Sequence, residues 1–207
     1  MDDAALLQGL QTVEIRGDDD RLQHSVNLRD GELHGIVEGY DEQGRLAQRT
    51  SYVNGLREGI SEYHSGDRLQ MRQQCLKGVP HGATTVYDDA GQVAAELNYE
   101  QGLLHGEARY FQHGQLVRTA NYQLGRLHGE AKDFSADGKM IQQTNYKNDA
   151  LDGSLTRYWG NGQVMESSSY DKGLKSGAIQ RFDQNGKPEA GDAPRLMDRM
   201  EKMFRGS

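Results

Sequence analysis

The sequence predicts an all-β protein: an elongated array of antiparallel β-hairpins built from repeats of 23–24 residues, with a short C-terminal α-helix. Three observations carry this prediction. A Gly-x-x-His-Gly pattern recurs in phase along the chain, glycine is abundant while proline is scarce (26 against 3 in 207 residues), and only 35% of residues are apolar. Self-similarity at such a period is the mark of stacked supersecondary units. A mean hydropathy of −0.86 leaves too little aliphatic material for a layered globule, so most residues must keep one face in water.

Residues 1–30 read as an N-terminal cap and a degenerate first hairpin running from about Val13 to Asp30, because Leu22 and Leu28 keep the six-residue spacing found in later strands. Seven repeats then fill residues 31–188. Their first glycines are Gly31, Gly55, Gly78, Gly102, Gly125 and Gly173, with Asp149 in that place in the sixth. A second glycine follows four residues later in all seven, from Gly35 and Gly59 to Gly153 and Gly177. Five residues on stands Tyr40, His64, Tyr87, Phe111, Phe134, Tyr158 or Phe182, and a third glycine comes after it.

Each repeat reads as a hairpin. A first strand such as 107–111 enters a turn such as Asp41-Glu-Gln-Gly44 or Ser135-Ala-Asp-Gly138. Asp or Ser opens the turn and glycine takes the positive φ at its end. The second strand runs from an aliphatic residue to a tyrosine six positions on, as in Leu46/Tyr52, Val93/Tyr99 and Met140/Tyr146; six is even, so both ends face one way. The expected core is a row of aromatic and aliphatic side chains, with Cys75 a smaller substitute at a tyrosine position. In the last segment, 189–207, Leu196, Met200, Met203 and Phe204 recur at helical spacing behind Asp192 as N-cap. The helix over 195–204 either caps the last hairpin or, being rich in methionine, meets a partner.

The net charge of −7 and pI near 5.5 argue against nucleic-acid binding, whose affinity comes from cations on phosphates. A single cysteine permits neither an intrachain disulfide nor a cysteine-based zinc site. The first residues are acidic and too short in apolar run for a secretory signal, and no stretch reaches the ~18 apolar residues of a membrane span. A cytoplasmic protein is the simplest expectation.

Tyr99-Glu-Gln-Gly-Leu-Leu-His-Gly106 and Tyr122-Gln-Leu-Gly-Arg-Leu-His-Gly129, each followed by an aromatic residue and a glycine, resemble the MORN-repeat variant. The resemblance extends over about residues 20–188. It departs at Glu58, Asp152 and Ser176, which replace the histidine, and at Asp149. It implies a hairpin array with a protein-binding role, and it carries over no catalytic residue. Bacterial proteins built only of this variant resemble antitoxin components of the YwqK type, some of which are immunity proteins beside secreted toxins.

His34, His81, His105 and His128 share one repeat position, and adjacent repeats set them roughly 10 Å apart, too far for one metal ion. They read as structural, capping loop backbone or stacking along an edge; no metal and no cofactor is expected. The chain shows no nucleophile elbow, phosphate loop or metalloprotease helix. Function is therefore sought where the repeats disagree, in the two columns three and four residues after the second glycine. Glu38, Glu62, Tyr63, Arg109, Tyr110, Arg157 and Arg181 come from these columns, and the only tryptophan, Trp159, from a hairpin tip. These are the candidate partner-binding residues, several of them of types enriched at interface hot spots; for Trp159 a cross-strand packing role is the competing reading. The expectation is a non-enzymatic protein that binds and neutralises a cognate bacterial toxin. The alternative is a scaffold or membrane-surface adaptor of MORN type, although an acidic chain suits anionic lipid poorly.

Overall fold

The computed structural model describes residues 9–189, all of them in strands, turns and connecting segments. The helix expected over 195–204 lies outside the described residues. The chain divides into two compact units, residues 1–114 and 115–207.

In the first unit the strands are β1 (Gln11–Arg16), β2 (Leu22–Arg29), β3 (Glu32–Tyr40), β4 (Leu46–Val53), β5 (Leu56–Ser65), β6 (Arg68–Leu76), β7 (Val79–Tyr87), β8 (Val93–Glu100), β9 (Leu103–Leu104) and β10 (Gly106–Gln112). In the second they are β11 (Gln115–Gln123), β12 (Arg126–Phe134), β13 (Met140–Lys147), β14 (Ala150–Tyr158), β15 (Val164–Asp171), β16 (Leu174–Lys175) and β17 (Gln180–Arg181). Within each unit neighbours in sequence pair antiparallel, except that β8 pairs with both β9 and β10 and β15 with both β16 and β17. β1 and β2 form the hairpin expected before Asp30.

The Gly-x-x-His-Gly segment is not a loop. Its first glycine is the second residue of a two-residue turn with positive φ at both positions, for example Asn54 and Gly55 (49° and 76°) or Lys172 and Gly173 (49° and 83°). This is the I′ geometry that matches strand twist. Asp149 fills the same place at φ 71°, and its Oδ1 accepts the Leu127 amide at 2.8 Å, which offsets the strain of a side chain there. The strand resumes at once, and the second glycine sits in it as a bulge. Thr50 faces Ser61 but Tyr52 faces Arg57, so β5 carries two extra residues around Gly59. On their other side Gly35, Gly59, Gly82, Gly129 and Gly153 lie opposite the next strand's tyrosine or its substitute, Gly59 opposite Cys75 and Gly153 opposite Tyr170.

Both edges are stitched repeat to repeat. At the I′ edge, Gly55 N donates to Leu33 O, Gly78 N to Arg57 O and Gly173 N to Leu151 O, at 2.7–2.9 Å. At the other edge the four-residue tips behave as the sequence predicts. Asp41, Asp88 and Asp183 each accept two backbone amides of their own tip at 2.8–3.0 Å. Arg21 and Arg68 donate to the carbonyls of Glu42 and Asp89 in the next tip.

The core differs from the expected aromatic row. Apart from His34 and Gln73, the buried residues are small: Thr50, Ser61, Thr84, Cys75, Ala95 and Ala108 in the first unit, and Ala120, Ala131, Thr144 and Ser168 in the second. They lie largely in one cross-strand line, Thr50–Ser61–Gln73–Thr84 and Ala120–Ala131–Thr144–Leu155–Ser168. The tyrosines two residues away, Tyr52, Tyr122, Tyr146 and Tyr170, are only half-buried. With no second layer among the described residues, large side chains must lie over a central line of small ones. Gln48 and Gln142 do this while donating to the Thr50 and Thr144 hydroxyls at 2.9 and 3.2 Å. A buried methyl or methylene contributes about 1 kcal/mol, so the hydrophobic share per repeat is modest and hydrogen bonds carry much of the order. The face with this line is termed inner, the opposite face outer.

Candidate interaction surfaces

The two variable columns project from opposite faces, because they are adjacent in a strand. On the outer face of the first unit, register places Glu38, Arg49, Glu62, Arg72, Thr85, Glu96 and Arg109 in one cross-strand row. The charges alternate and pair: Arg49–Glu38 at 2.7 Å, Arg72–Glu62 at 3.6 Å, Arg109–Glu96 at 3.8 Å and Arg109–Glu107 at 2.8 Å. The Tyr40 hydroxyl donates to Glu38 at 2.7 Å. That bond, with help from Arg49 and against the effect of burial, holds the Glu38 carboxyl below the usual carboxylate range and pushes the Tyr40 hydroxyl up. The Glu107 hydrogen bond likewise raises the Arg109 guanidinium.

The inner face of the first unit carries, next to the buried line, the row Gln48, Tyr63, Met71, Val86, Ala95 and Tyr110. All but Ala95 keep part of their surface in water. The second unit reverses this chemistry. Its equivalent inner row is Arg118, Asp133, Gln142, Arg157, Glu166 and Arg181. Arg118 pairs with Asp133 at 2.7 Å, Arg157 Nε donates to Gln142 at 3.2 Å, and Arg181 and Arg157 flank Glu166 at 3.3 and 3.8 Å. Its outer row, Thr119, Lys132, Gln143, Thr156, Ser167 and Gln180, has a single charge.

The eight sequence-derived candidates therefore fall into separate groups. Glu38, Glu62 and Arg109 belong to the outer ladder of the first unit, Tyr63 and Tyr110 to its inner row, and Arg157 and Arg181 to the inner ladder of the second unit. Trp159 starts the tip between β14 and β15; it is half-buried, and its Nε1 donates to Phe182 O at 3.0 Å, fastening the last hairpin. Net charge divides as sharply. The first unit has 19 acidic and 10 basic residues, net −9, and the second 12 and 14, net +2.

Two of the four histidines of the repeat column contact the I′ turn of the next repeat. His34 Nδ1 lies 3.3 Å from Asn54 Oδ1, and His81 Nδ1 accepts the Gln101 amide at 3.4 Å; both partners are the first residue of the I′ turn 20 residues on. Asp152, in the histidine's place, accepts the Lys172 amide at 3.4 Å in the same way. Opposite the Asn54 oxygen the His34 ring donates, whereas His81 and Asp152 accept, and His128 Nδ1 has no hydrogen-bond partner among the described residues. Another column went unread: Asn98, Asn121 and Asn145 donate Nδ2 to the carbonyls of Glu107, Glu130 and Ser154, closing the bulge. Its sequence signal is the recurring Asn-Tyr pair. The ladder partners Arg49, Arg72, Glu96, Arg118 and Glu166 were also missed, since they lie on the second strand of each repeat and only register aligns them with the first.

Residues 33–54, 80–101, 127–148 and 151–172 match the family model described as MORN repeat variant. These four segments are similar to MORN-variant repeats. Each begins within the strand after an I′ turn and spans one tip, so the MORN-variant match marks the pieces of the array with the most regular glycine and tyrosine columns. No curated protein matches the chain. Among solved structures, "Crystal Structure of TarM" is 16% identical with TM-score 0.33, covering 42% of this chain and 18% of that one. "Crystal structure of GtfA/B complex bound to UDP and GlcNAc" is 14% identical with TM-score 0.22, covering 63% and 21%. The chain thus spans about a fifth of the length of either.

Proposed function

We propose that this protein is a non-enzymatic binder that neutralises a cognate toxin, as an immunity protein does. The observation that carries the reading is the pair of variable rows on each unit. Turns and bulge glycines hold the backbone, while the row residues differ from repeat to repeat and from unit to unit. A regular scaffold with variable in-register rows suits recognition of one extended protein surface. The net −9 of the first unit supports a basic partner, since complementary fields speed and orient encounter.

The test is co-expression with the product of the neighbouring gene. The expected result is restored growth and a complex that survives purification. Full toxicity despite comparable expression of both chains refutes the proposal.

A further inference from the structure

We infer that the inner face of the first unit is a docking surface for a cationic amphipathic helix of a protein partner. This rests on the protein-binding reading above and names the surface. The row Gln48, Tyr63, Met71, Val86, Ala95 and Tyr110 is not required by the repeat, because the second unit folds with Arg118, Asp133, Gln142, Arg157, Glu166 and Arg181 in the same positions. Six adjacent strands at ~4.8 Å make the row about 24 Å long. A helix of about 16 residues has that length, and its ~5.4 Å pitch nearly matches the strand spacing, so one apolar side chain per turn meets one row residue.

Charge decides the character of the helix. The tips that border this row begin two to four residues away, at 41–45, 66–67 and 88–92. They carry Glu42, Asp67 and Asp89, all exposed, with no cation within ion-pair distance among the described residues. Successive tips lie two strands apart, about 10 Å, so Lys or Arg on one flank of the helix reach them in turn. Of the nearby cations, Arg45 is engaged by Asp41, Arg68 by the Asp89 carbonyl, and Arg21 by Asp19 and the Glu42 carbonyl. The result is a largely apolar track, with Gln48 at one end, and an anionic rim in a unit of net charge −9.

The probe is a labelled 16-residue helical peptide with Leu on one face and Lys on the other, titrated against the full chain by fluorescence anisotropy. A control peptide has Glu for every Lys. The Lys peptide should bind, and more weakly as salt rises. The exposed-rim variant Glu42→Lys/Asp67→Lys/Asp89→Lys should weaken it about tenfold, from three surface charge contacts. The near-isosteric Val86→Thr should weaken it while leaving the unfolding midpoint close to wild type. Equal binding of both peptides, no binding of either, or an unchanged affinity for the rim variant overturns the inference. Self-association of the chain in sedimentation that the rim variant abolishes also overturns it, since the occupant is then a second copy. Toxin capture separates the two proposals: a rim variant that captures the toxin at full strength refutes this surface alone. Peptide binding without toxin capture refutes the immunity reading alone.

Discussion

Gly153→Ala tests the bulge that recurs along the array. Gly153 has φ +106°, beyond the left-handed region that an L-residue can occupy at modest cost, which sets a penalty of about 1–3 kcal/mol. An added Cβ comes 3.2 Å from the Asn145 Cβ, an atom fixed to its backbone that no rotamer change removes. Asn145 must then shift, weakening its bonds to Ser154 O and Oγ at 3.3 and 2.9 Å, worth about 1 kcal/mol together. The sum is about 3 kcal/mol. Gly138→Ala is the control, with φ +77° and nothing within 4 Å of the new carbon, so only a left-handed cost of about 1 kcal/mol applies. Trp159, the only tryptophan, sits six residues from Gly153 and reports unfolding of the second unit by fluorescence. With a urea m-value of about 1.5 kcal/mol/M, Gly153→Ala should lower the midpoint by about 2 M and Gly138→Ala by less than half of that. A Gly153→Ala shift no larger than the control's refutes the bulge account.

Asp149→Gly should leave stability within about 0.5 kcal/mol of wild type, because relief of the left-handed side chain offsets the lost Leu127 bond; Asp149→Ala keeps the strain without the bond and should cost about 1–2 kcal/mol. Urea midpoints of the two variants check this. Trp159→Phe removes the indole donor to Phe182 O and should cost about 1 kcal/mol, seen as faster amide exchange at Arg181 and Phe182 with β12–β13 unaffected. The Asp137 carboxyl is lowered to about 2, first by Lys139 and then by the Ser135 hydroxyl. Its folded value lies below the unfolded one, so its contribution to stability is present above about pH 4 and disappears as pH falls through about 2. An NMR titration should show this midpoint, and Lys139→Gln should move it upward.

How much was legible follows from the length scale of each signal. The tips were readable because Asp41, Asp88 and Asp183 hydrogen-bond within four residues of themselves. The Gly-x-x-His-Gly segment is legible as a repeat, but its strand character is not, since a strand with a bulge glycine and a turn use the same residue. The core was misjudged for a different reason. The spacing of Leu46 and Tyr52 shows that they share a face, but which side chains lie on top is a matter of packing, and Thr50 and Ser61 are sealed by larger neighbours on either side. The variable columns are legible in the sequence, yet their division between two faces and two units is invisible until register is known.

The sequence by itself determined the all-β hairpin repeat, its period, the chemistry of its turns and the identity of the variable columns, because those are local, periodic properties of 23–24 residues. Only the tertiary structure decided that Glu38 meets Arg49, that Arg157 and Arg181 share Glu166, and that the apolar row of the first unit becomes a charged one in the second. These are cross-strand relations. A bulge of one or two residues changes which residues are opposite, and the exact register emerges from the hydrogen-bonded ladder rather than from any single strand.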